Sequence, residues 1–260
     1  MIETAIPEKP GLPPEPPPPP GSNWALFLDI DGTLLDIAET PDRVWVPPRL
    51  RRDLDLISHS LNGALALISG RPVSDIDRLF APLRLPASGQ HGGEWRPEPP
   101  RPAEVLAARH VPDSLRDVAD RLLRLHPGVV VEQKSHAIAV HYRHAPEIGA
   151  ELGRRLAEAM AGIEGLQLLS GRAVWEVKDS SQSKGTAVQR FMSRPGFAGR
   201  LPVFIGDDTT DLDGFLAVEA MGGIALPVGR LARPGKPGFT DPDAVRAWLA
   251  EFAAVSQGER

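Results

Sequence analysis

Trp24-Ala25-Leu26-Phe27-Leu28-Asp29-Ile30-Asp31-Gly32-Thr33 is the stretch on which the fold turns. Five apolar residues in a row, without the alternation of a half-exposed strand, suit a strand buried on both faces of a parallel sheet. The run stops at Asp29 and the turn residue Gly32 follows, so two carboxylates fall at the strand's C-terminal end. Residues two apart on a strand share a face, which puts Asp29 and Asp31 about 7 Å apart along one side. In open α/β sheets, ligands sit beyond those strand ends. Two carboxylates there suit a divalent cation, with one acting as acid or base. Turn formation and helix capping remain open as structural uses of the same residues. An EF-hand loop is excluded, because Gly32 is the fourth residue from Asp29 where that loop needs glycine at the sixth.

Outward from this strand, apolar runs and helical stripes alternate. A helix is expected after Pro47-Pro48, with Leu50, Leu54, Ile57 and Leu61 along one face. Ala64 to Ile68 reads as a second buried strand, stopped by Ser69-Gly70-Arg71-Pro72, and a helix over Val73 to Phe80 follows. Leu201 to Ile205 and Gly223 to Leu226 read as two more buried strands, and Val245, Trp248, Leu249 and Phe252 mark a final helix. Strand and helix alternating at this pitch specify a doubly wound parallel-sheet layer.

The middle of the chain has another texture. A helical stripe of Leu115, Val118 and Leu122 precedes a hairpin, Val129 to Gln133 and Ala137 to Arg143, in which Ile138, Val140 and Tyr142 alternate with Ala139, His141 and Arg143. A second helix carries Ile148, Leu152, Leu156 and Met160, followed by strands over Leu166 to Leu169 and Ala173 to Val177. This α-β-β pattern, made twice, is expected to form an α+β unit inserted into the parallel-sheet domain, with junctions near residues 99 and 178. Trp95 and Trp175 are read as packing residues rather than stacking platforms.

A second acidic cluster, Gly206-Asp207-Asp208-Thr209-Thr210-Asp211, follows the strand at 201–205. Between the two clusters come Ser69-Gly70-Arg71 after the second strand and Lys184-Gly185 opening a helix. The ordered set of Asp-x-Asp-Gly-Thr, Ser, Lys and Gly-Asp-Asp-x-x-Asp resembles the haloacid dehalogenase (HAD) superfamily. Within it, the flanking stretches Gln90-His91-Gly92-Gly93-Glu94, His141-Tyr142-Arg143, Ser183-Lys184-Gly185-Thr186-Ala187 and Leu212-Asp213-Gly214-Phe215 are similar to the trehalose-6-phosphate phosphatase family. The resemblance implies an α/β fold, a HAD-like doubly wound core over 23–98 and 178–260 with an α+β cap of the C2 type over 99–177. It also implies a Mg²⁺-dependent phosphatase that converts trehalose 6-phosphate to trehalose and phosphate through an aspartyl-phosphate.

Carried onto this chain, the resemblance makes Asp29 the nucleophile and Asp31 the acid and then base. Ser69 is the hydrogen-bond donor to the phosphoryl group, and Lys184 balances its charge. Mg²⁺ is expected on Asp29, Asp207 and the backbone carbonyl of Asp31, reversing the field that carboxylates present to a phosphate dianion. Asp208, Asp211 and Arg71 are placed behind these groups, the two aspartates orienting Lys184 or metal-bound water. The sugar is expected on Glu132, Lys134, Arg143, Arg172 and Glu176 of the cap. Arg172 stands where the family has Lys, which replaces a point charge by a rigid fork, and Leu212 stands where it has an acid. His91, after a Gly-rich turn, is left open between approaching the sugar and bracing the loop. The core and cap are expected to pivot about the linkers near 99 and 178. Another sugar phosphate, of the sucrose or glucosylglycerate type, is the alternative substrate, and a non-catalytic sugar-phosphate sensor the alternative function.

Composition narrows the field. At 260 residues, 42% hydrophobic and 24% charged, the chain can bury a globular core. The formal charge of −5 offers no basic field for nucleic acid or anionic lipid. The absence of Cys removes disulfides and thiolate chemistry. No apolar run approaches the roughly 20 residues of a membrane span, and no charged n-region precedes an apolar h-region. A cytoplasmic protein is therefore expected; a monomer is expected as well, and the resemblance implies a small-molecule sugar phosphate as its partner. Residues 1–22, with Pro16 to Pro20 in one run, are expected to form a disordered, polyproline-like tail, with an SH3-type groove as its conceivable partner.

Overall fold

The computed structural model describes residues 13–37, 44–106, 111–133, 137–171 and 173–258. The elements run β1 (Trp24–Leu28), α1 (Pro48–Ser60), β2 (Leu65–Ile68), α2 (Val73–Phe80), β3 (Ala87–Gly89), β4 (Glu94–Arg96), β5 (Glu104–Val105), α3 (Asp113–Leu125), β6 (Val130–Gln133) and β7 (Ala137–His141). They continue with α4 (Gly149–Ala159), β8 (Leu166–Gly171), β9 (Val174–Asp179), α5 (Lys184–Met192), β10 (Leu201–Gly206), α6 (Leu212–Ala220), β11 (Ile224–Pro227) and α7 (Pro242–Gly258).

The larger sheet has the order β11-β10-β1-β2-β3-β4-β5, parallel from β11 to β3 and antiparallel across β4 and β5. All five residues of β1 are buried, as a continuous apolar run demands. Alternation along β1 sends Trp24 onto Trp248 and Phe252 of α7, and Phe27 onto Phe191 of α5 and Phe197. Helices α1 and α7 pack together, as do α5 and α6, so the layer is wound on both faces. The chain adds β2 and β3 on one side of β1 and returns to add β10 and β11 on the other. The ends of β1 are thus the crevice where such sheets bind ligands. Register aligns that edge: Leu28 pairs with Ile205 and with Leu67, so the residues just beyond all three strands emerge together.

The smaller sheet, β6-β7-β9-β8, is antiparallel and covered on one face by α3 and α4. Its own apolar cluster includes Leu115, Leu122, Ile138, Val140, Leu152, Leu156 and Val177. Trp175 packs against the same cluster and donates its indole N–H to the Gly149 carbonyl at 2.7 Å. The alternate residues of these strands, among them Glu132, His141, Leu169, Val174 and Glu176, face the larger unit. The chain leaves the larger sheet after Val105 and the smaller one after Asp179, so β5, expected in the inserted unit beginning near 99, pairs with β4 in the larger sheet instead. Trp95 is buried against Phe191, with ring centroids 4.2 Å apart.

Two features depart from the sequence reading. The segment from Ala87 to Val105, to which the sequence assigned no strand, contributes β3, β4 and β5; these strands are two or three residues long and carry no apolar run. Of the expected tail, residues 1–12 lie outside the described set. Glu15, expected to extend into solvent, instead donates its N–H to the Lys236 carbonyl at 2.9 Å and accepts from the Gly238 N–H at 3.2 Å. Among the described residues, no helix is long and apolar enough to cross a membrane.

Candidate active site

Asp29 shares the parity of Phe27, so its side chain leaves β1 on the α5 side. There α5 begins at Lys184, with Ser183 as N-cap: its hydroxyl accepts from the Thr186 N–H at 3.2 Å, and the Thr186 hydroxyl in turn accepts from the Ser183 N–H at 2.9 Å. A helix N-terminus repels a cation. Lys184 is nevertheless buried, because its ammonium donates to Asp29 Oδ1 at 2.6 Å and to Asp211 Oδ1 at 2.5 Å. The second oxygen of Asp211 accepts the backbone N–H groups of Asp207 and Asp208, at 3.1 and 2.9 Å. This explains why Asp211 tolerates complete burial.

The carboxyls of Asp29, Asp207 and Asp211 each bring one oxygen within 4.8 Å of the others. Both oxygens of Asp211 are engaged, so the oxygens left to share a cation are Asp29 Oδ2 and those of Asp207. The Thr33 hydroxyl lies 3.3 Å from Asp29 Oδ2 and 3.3 Å from Asp207 Oδ1, bridging the pair. Gly32 makes this approach possible. Its φ is +85°, and a Cβ there would sit 2.1 Å from Asp207 Oδ2.

The electrostatics fit a cation. Burial, and then the Asp211 charge, holds the Asp29 carboxyl well above the usual carboxylate range, against the pull of Lys184. Burial followed by Asp211 lifts Asp207 to about 6. Burial alone would lower the Lys184 ammonium, but Asp211 and Asp29 outweigh it and leave it raised. Carboxylates pushed up in this way are groups whose ionised form a bound divalent cation stabilises.

Around this centre, Arg71 holds Asp31 in a two-pronged pair, Nε to Oδ2 at 2.6 Å and a terminal nitrogen to Oδ1 at 2.7 Å. Ser69 is buried, and its Oγ accepts the Arg71 backbone N–H at 3.2 Å. Asp208 turns away from the lysine: it caps the Thr209 N–H at 2.7 Å and pairs with Arg230. The expected role in orienting Lys184 thus falls to Asp211, with Asp208 serving the turn. Thr209 donates its hydroxyl to the Ser170 carbonyl at 3.1 Å, joining the larger unit to β8.

A cavity of about 870 Å³ lies between the two units. Asp29, Asp31, Ser69, Arg71, Lys184 and Asp208 line one wall, and Glu132, Arg143 and Glu176 the other. The remaining expected sugar residues, Lys134 and Arg172, lie outside the described residues. Sequence reasoning gave no part to Thr33, which stands inside the Asp-x-Asp-Gly-Thr motif, and left His91, whose ring reaches the cavity, between the sugar and the loop. For His91 a signal existed in the Gly-rich context of Gln90-His91-Gly92-Gly93, which announces unusual backbone.

A doubly wound sheet with carboxylates, a serine and a lysine converging on its C-terminal edge, under a separate α+β lid, defines a phosphatase of the HAD type. Residues 27–233 match the family model described as trehalose-phosphatase, and the chain belongs to that family. It is 43% identical over 211 residues to a probable trehalose-phosphate phosphatase of Sinorhizobium fredii, covering 80% of this chain and 78% of that protein. It is 37% identical over 244 residues to the trehalose-6-phosphate phosphatase of Escherichia coli, covering 92% and 90%. In fold it is similar to the C-terminal domain of the Candida albicans trehalose-6-phosphate phosphatase, with a TM-score of 0.76 at 22% identity, covering 89% of this chain and 92% of that one.

Proposed function

We propose that this protein hydrolyses trehalose 6-phosphate to trehalose and inorganic phosphate, with Mg²⁺ as its cation and Asp29 as nucleophile. The observation that carries the reading is the two-walled cavity: Asp29, Ser69 and Lys184 on one side, Glu132, Arg143 and Glu176 on the other. The names of the Sinorhizobium and Escherichia coli relatives support the choice of ester. Asp29 and Asp207, with the Asp31 carbonyl, would hold Mg²⁺, and the bound ion would supply positive charge against a dianionic ester and polarise a phosphoryl oxygen.

The chain's own residues do the rest. The Asp29 carboxylate attacks phosphorus while the bond from phosphorus to the sugar oxygen breaks, and Asp31 gives that oxygen a proton. Water then attacks the same phosphorus and passes a proton to Asp31. The bond to Asp29 breaks, releasing phosphate and restoring the carboxylate. Lys184 keeps Asp29 oriented and offsets charge on the phosphoryl group, while the Ser69 hydroxyl donates to a phosphoryl oxygen. Asp31 must leave Arg71 to carry a proton, and an incoming phosphoryl dianion competes for the same guanidinium fork.

Glu132, Arg143 and Glu176, with Lys134 and Arg172, bind sugar hydroxyls from the inserted cap, which closes on the core. Buried polar groups left unpaired by a wrong sugar are what confer selectivity. The test is phosphate release from trehalose 6-phosphate, sucrose 6-phosphate and glucose 6-phosphate, with Mg²⁺ and with chelator. The reading expects Mg²⁺-dependent release that favours trehalose 6-phosphate; equal rates on glucose 6-phosphate would overturn the disaccharide assignment.

A further inference from the structure

Three consecutive residues between β3 and β4 adopt the left-handed backbone: Gln90 (φ 48°), His91 (φ 52°) and Gly92 (φ 104°). Two of them carry side chains, for which this region is costly. Such a turn persists only where its surroundings over-determine it. The Gln90 N–H donates to the Arg71 carbonyl at 3.0 Å and the His91 N–H to the Ser69 carbonyl at 3.0 Å. The turn is therefore fastened to the loop Ser69-Gly70-Arg71 that faces the phosphoryl site. Glu94 adds a brace, accepting from Gln90 Nε2 at 2.5 Å and from the Val73 N–H at 2.6 Å.

The strain delivers the His91 ring to one place. A Cβ on Gly70 would meet His91 Nε2 at 2.5 Å, so the absence of a side chain at 70 makes room for the imidazole. The same nitrogen, His91 Nε2, lies 3.4 Å from Glu176 Oε2, both side chains being largely buried. Two residues further along β9, on the same face, the buried Lys178 ammonium donates to the His91 carbonyl at 3.4 Å and to the Gln182 carbonyl at 2.5 Å. Alternate residues of β9 thus grip His91 by its ring and by its backbone. The same turn reaches the outgoing linker, where the Leu106 N–H donates to the Gly93 carbonyl at 2.9 Å.

We infer that His91 is a positioning residue that sets the Glu176 carboxylate and fastens this sugar-facing strand to the phosphate-facing loop, coupling sugar recognition to phosphoryl positioning. The inference rests on the sugar role proposed for Glu176. It explains why a strained turn sits here: relaxing the backbone would withdraw the ring from Glu176 and release Ser69-Gly70-Arg71 together.

The test is a double-mutant cycle, with His91→Asn, Glu176→Gln and the double variant in the full chain. Asn tolerates positive φ, so the turn survives while the ring is lost. The readout is the ratio of kcat/KM for trehalose 6-phosphate to that for p-nitrophenyl phosphate, which carries no sugar. Each single variant is expected to lower this ratio about tenfold, as for loss of one charge-assisted hydrogen bond, and the double variant no further than either single one. Losses that multiply to about a hundredfold, or a His91→Asn variant that slows both esters alike with the ratio unmoved, would overturn the coupling. A wild-type ratio near one would instead overturn the substrate reading, and the coupling with it. As a second arm, Gly70→Ala is expected to lower the ratio in the wild-type background and to be partly rescued by His91→Asn; absence of rescue counts against the proposed contact.

Discussion

Replacing Lys184 by Met tests the buried charge network most severely. Met matches the length of the lysine stem and fills irregular space, so the substitution removes charge with little loss of packing. What it leaves behind is Asp29 and Asp211, whose oxygens lie 2.6 and 2.5 Å from the lost ammonium, both buried. Breaking a buried pair by removing one partner costs about 3–5 kcal/mol. Lys184 serves two carboxylates, so the upper half of that range is expected at pH 8 in chelator. The sign with pH follows from Asp29. Its carboxyl is already held above the usual range, by burial and then by the Asp211 charge, and the lysine supplies both influences that pull it down, its charge and its hydrogen bond. Without Lys184 it rises further, so the folded state takes up a proton the unfolded chain does not bind, and the penalty shrinks as pH falls. Urea unfolding followed by Trp fluorescence at pH 8 and pH 5.5 reads both quantities. A variant as stable as wild type at pH 8, or a penalty unchanged at pH 5.5, would refute the network as described.

Other outcomes follow from the same geometry. Gly32→Ala places a Cβ 2.1 Å from Asp207 Oδ2 at a φ of +85°, so titration calorimetry should show loss of most Mg²⁺ affinity, with kcat down at least a hundredfold on the scale of a displaced catalytic group. Asp207→Asn should stabilise the metal-free protein at pH 8 by about 1–3 kcal/mol after allowing for solvent screening, since burial holds that carboxyl at about 6. The gain should shrink as pH falls below about 6, where Asp207 becomes protonated in the folded wild type, and vanish only below about pH 4, where the unfolded carboxyl is protonated too; calorimetry should find Mg²⁺ affinity of the wild type falling as pH drops through about 6. Arg71→Lys cannot reproduce the two-pronged hold on Asp31 at 2.6 and 2.7 Å; initial-rate kinetics should show kcat reduced about tenfold with the fold intact by circular dichroism. Far from the site, Asp77→Asn weakens the partner of the buried Arg96, 2.6 Å away; unfolding curves should show about 2–4 kcal/mol of lost stability while kcat is unchanged.

The parts of the fold legible in sequence are those where one physical signal dominates. A strand buried on both faces must be continuously apolar, so β1, β2 and β10 announce themselves, and the carboxylates that end β1 and follow β10 stand out by contrast. The cap strands were legible through alternation: Ile138 and Val140 turn inward to Val177, and His141 and Glu176 outward to the cavity. Strands β3 to β5 were not, because two or three residues such as Ala87-Ser88-Gly89 carry no periodicity. Their pairing is set by the neighbouring strand.

Within the site, residue types at strand ends could be found, but not their pairings. Nothing in the spacing distinguishes Asp208, which serves Thr209 and Arg230, from Asp211, which serves Lys184; the difference arises from the single helical turn that separates them. The hold of Arg71 on Asp31 and the placing of His91 against Glu176 join residues 40 and 85 positions apart, and only the assembled sheets bring them together.

The claim on which the account depends is that Asp29 becomes covalently phosphorylated. Acid-quenched wild-type enzyme, mixed for milliseconds with trehalose 6-phosphate and Mg²⁺, should carry a phosphoryl group on the peptide containing Asp29, labile to hydroxylamine and absent from Asp29→Asn. An Asp29→Asn variant that releases phosphate at the wild-type rate, with no adduct in either protein, would contradict it.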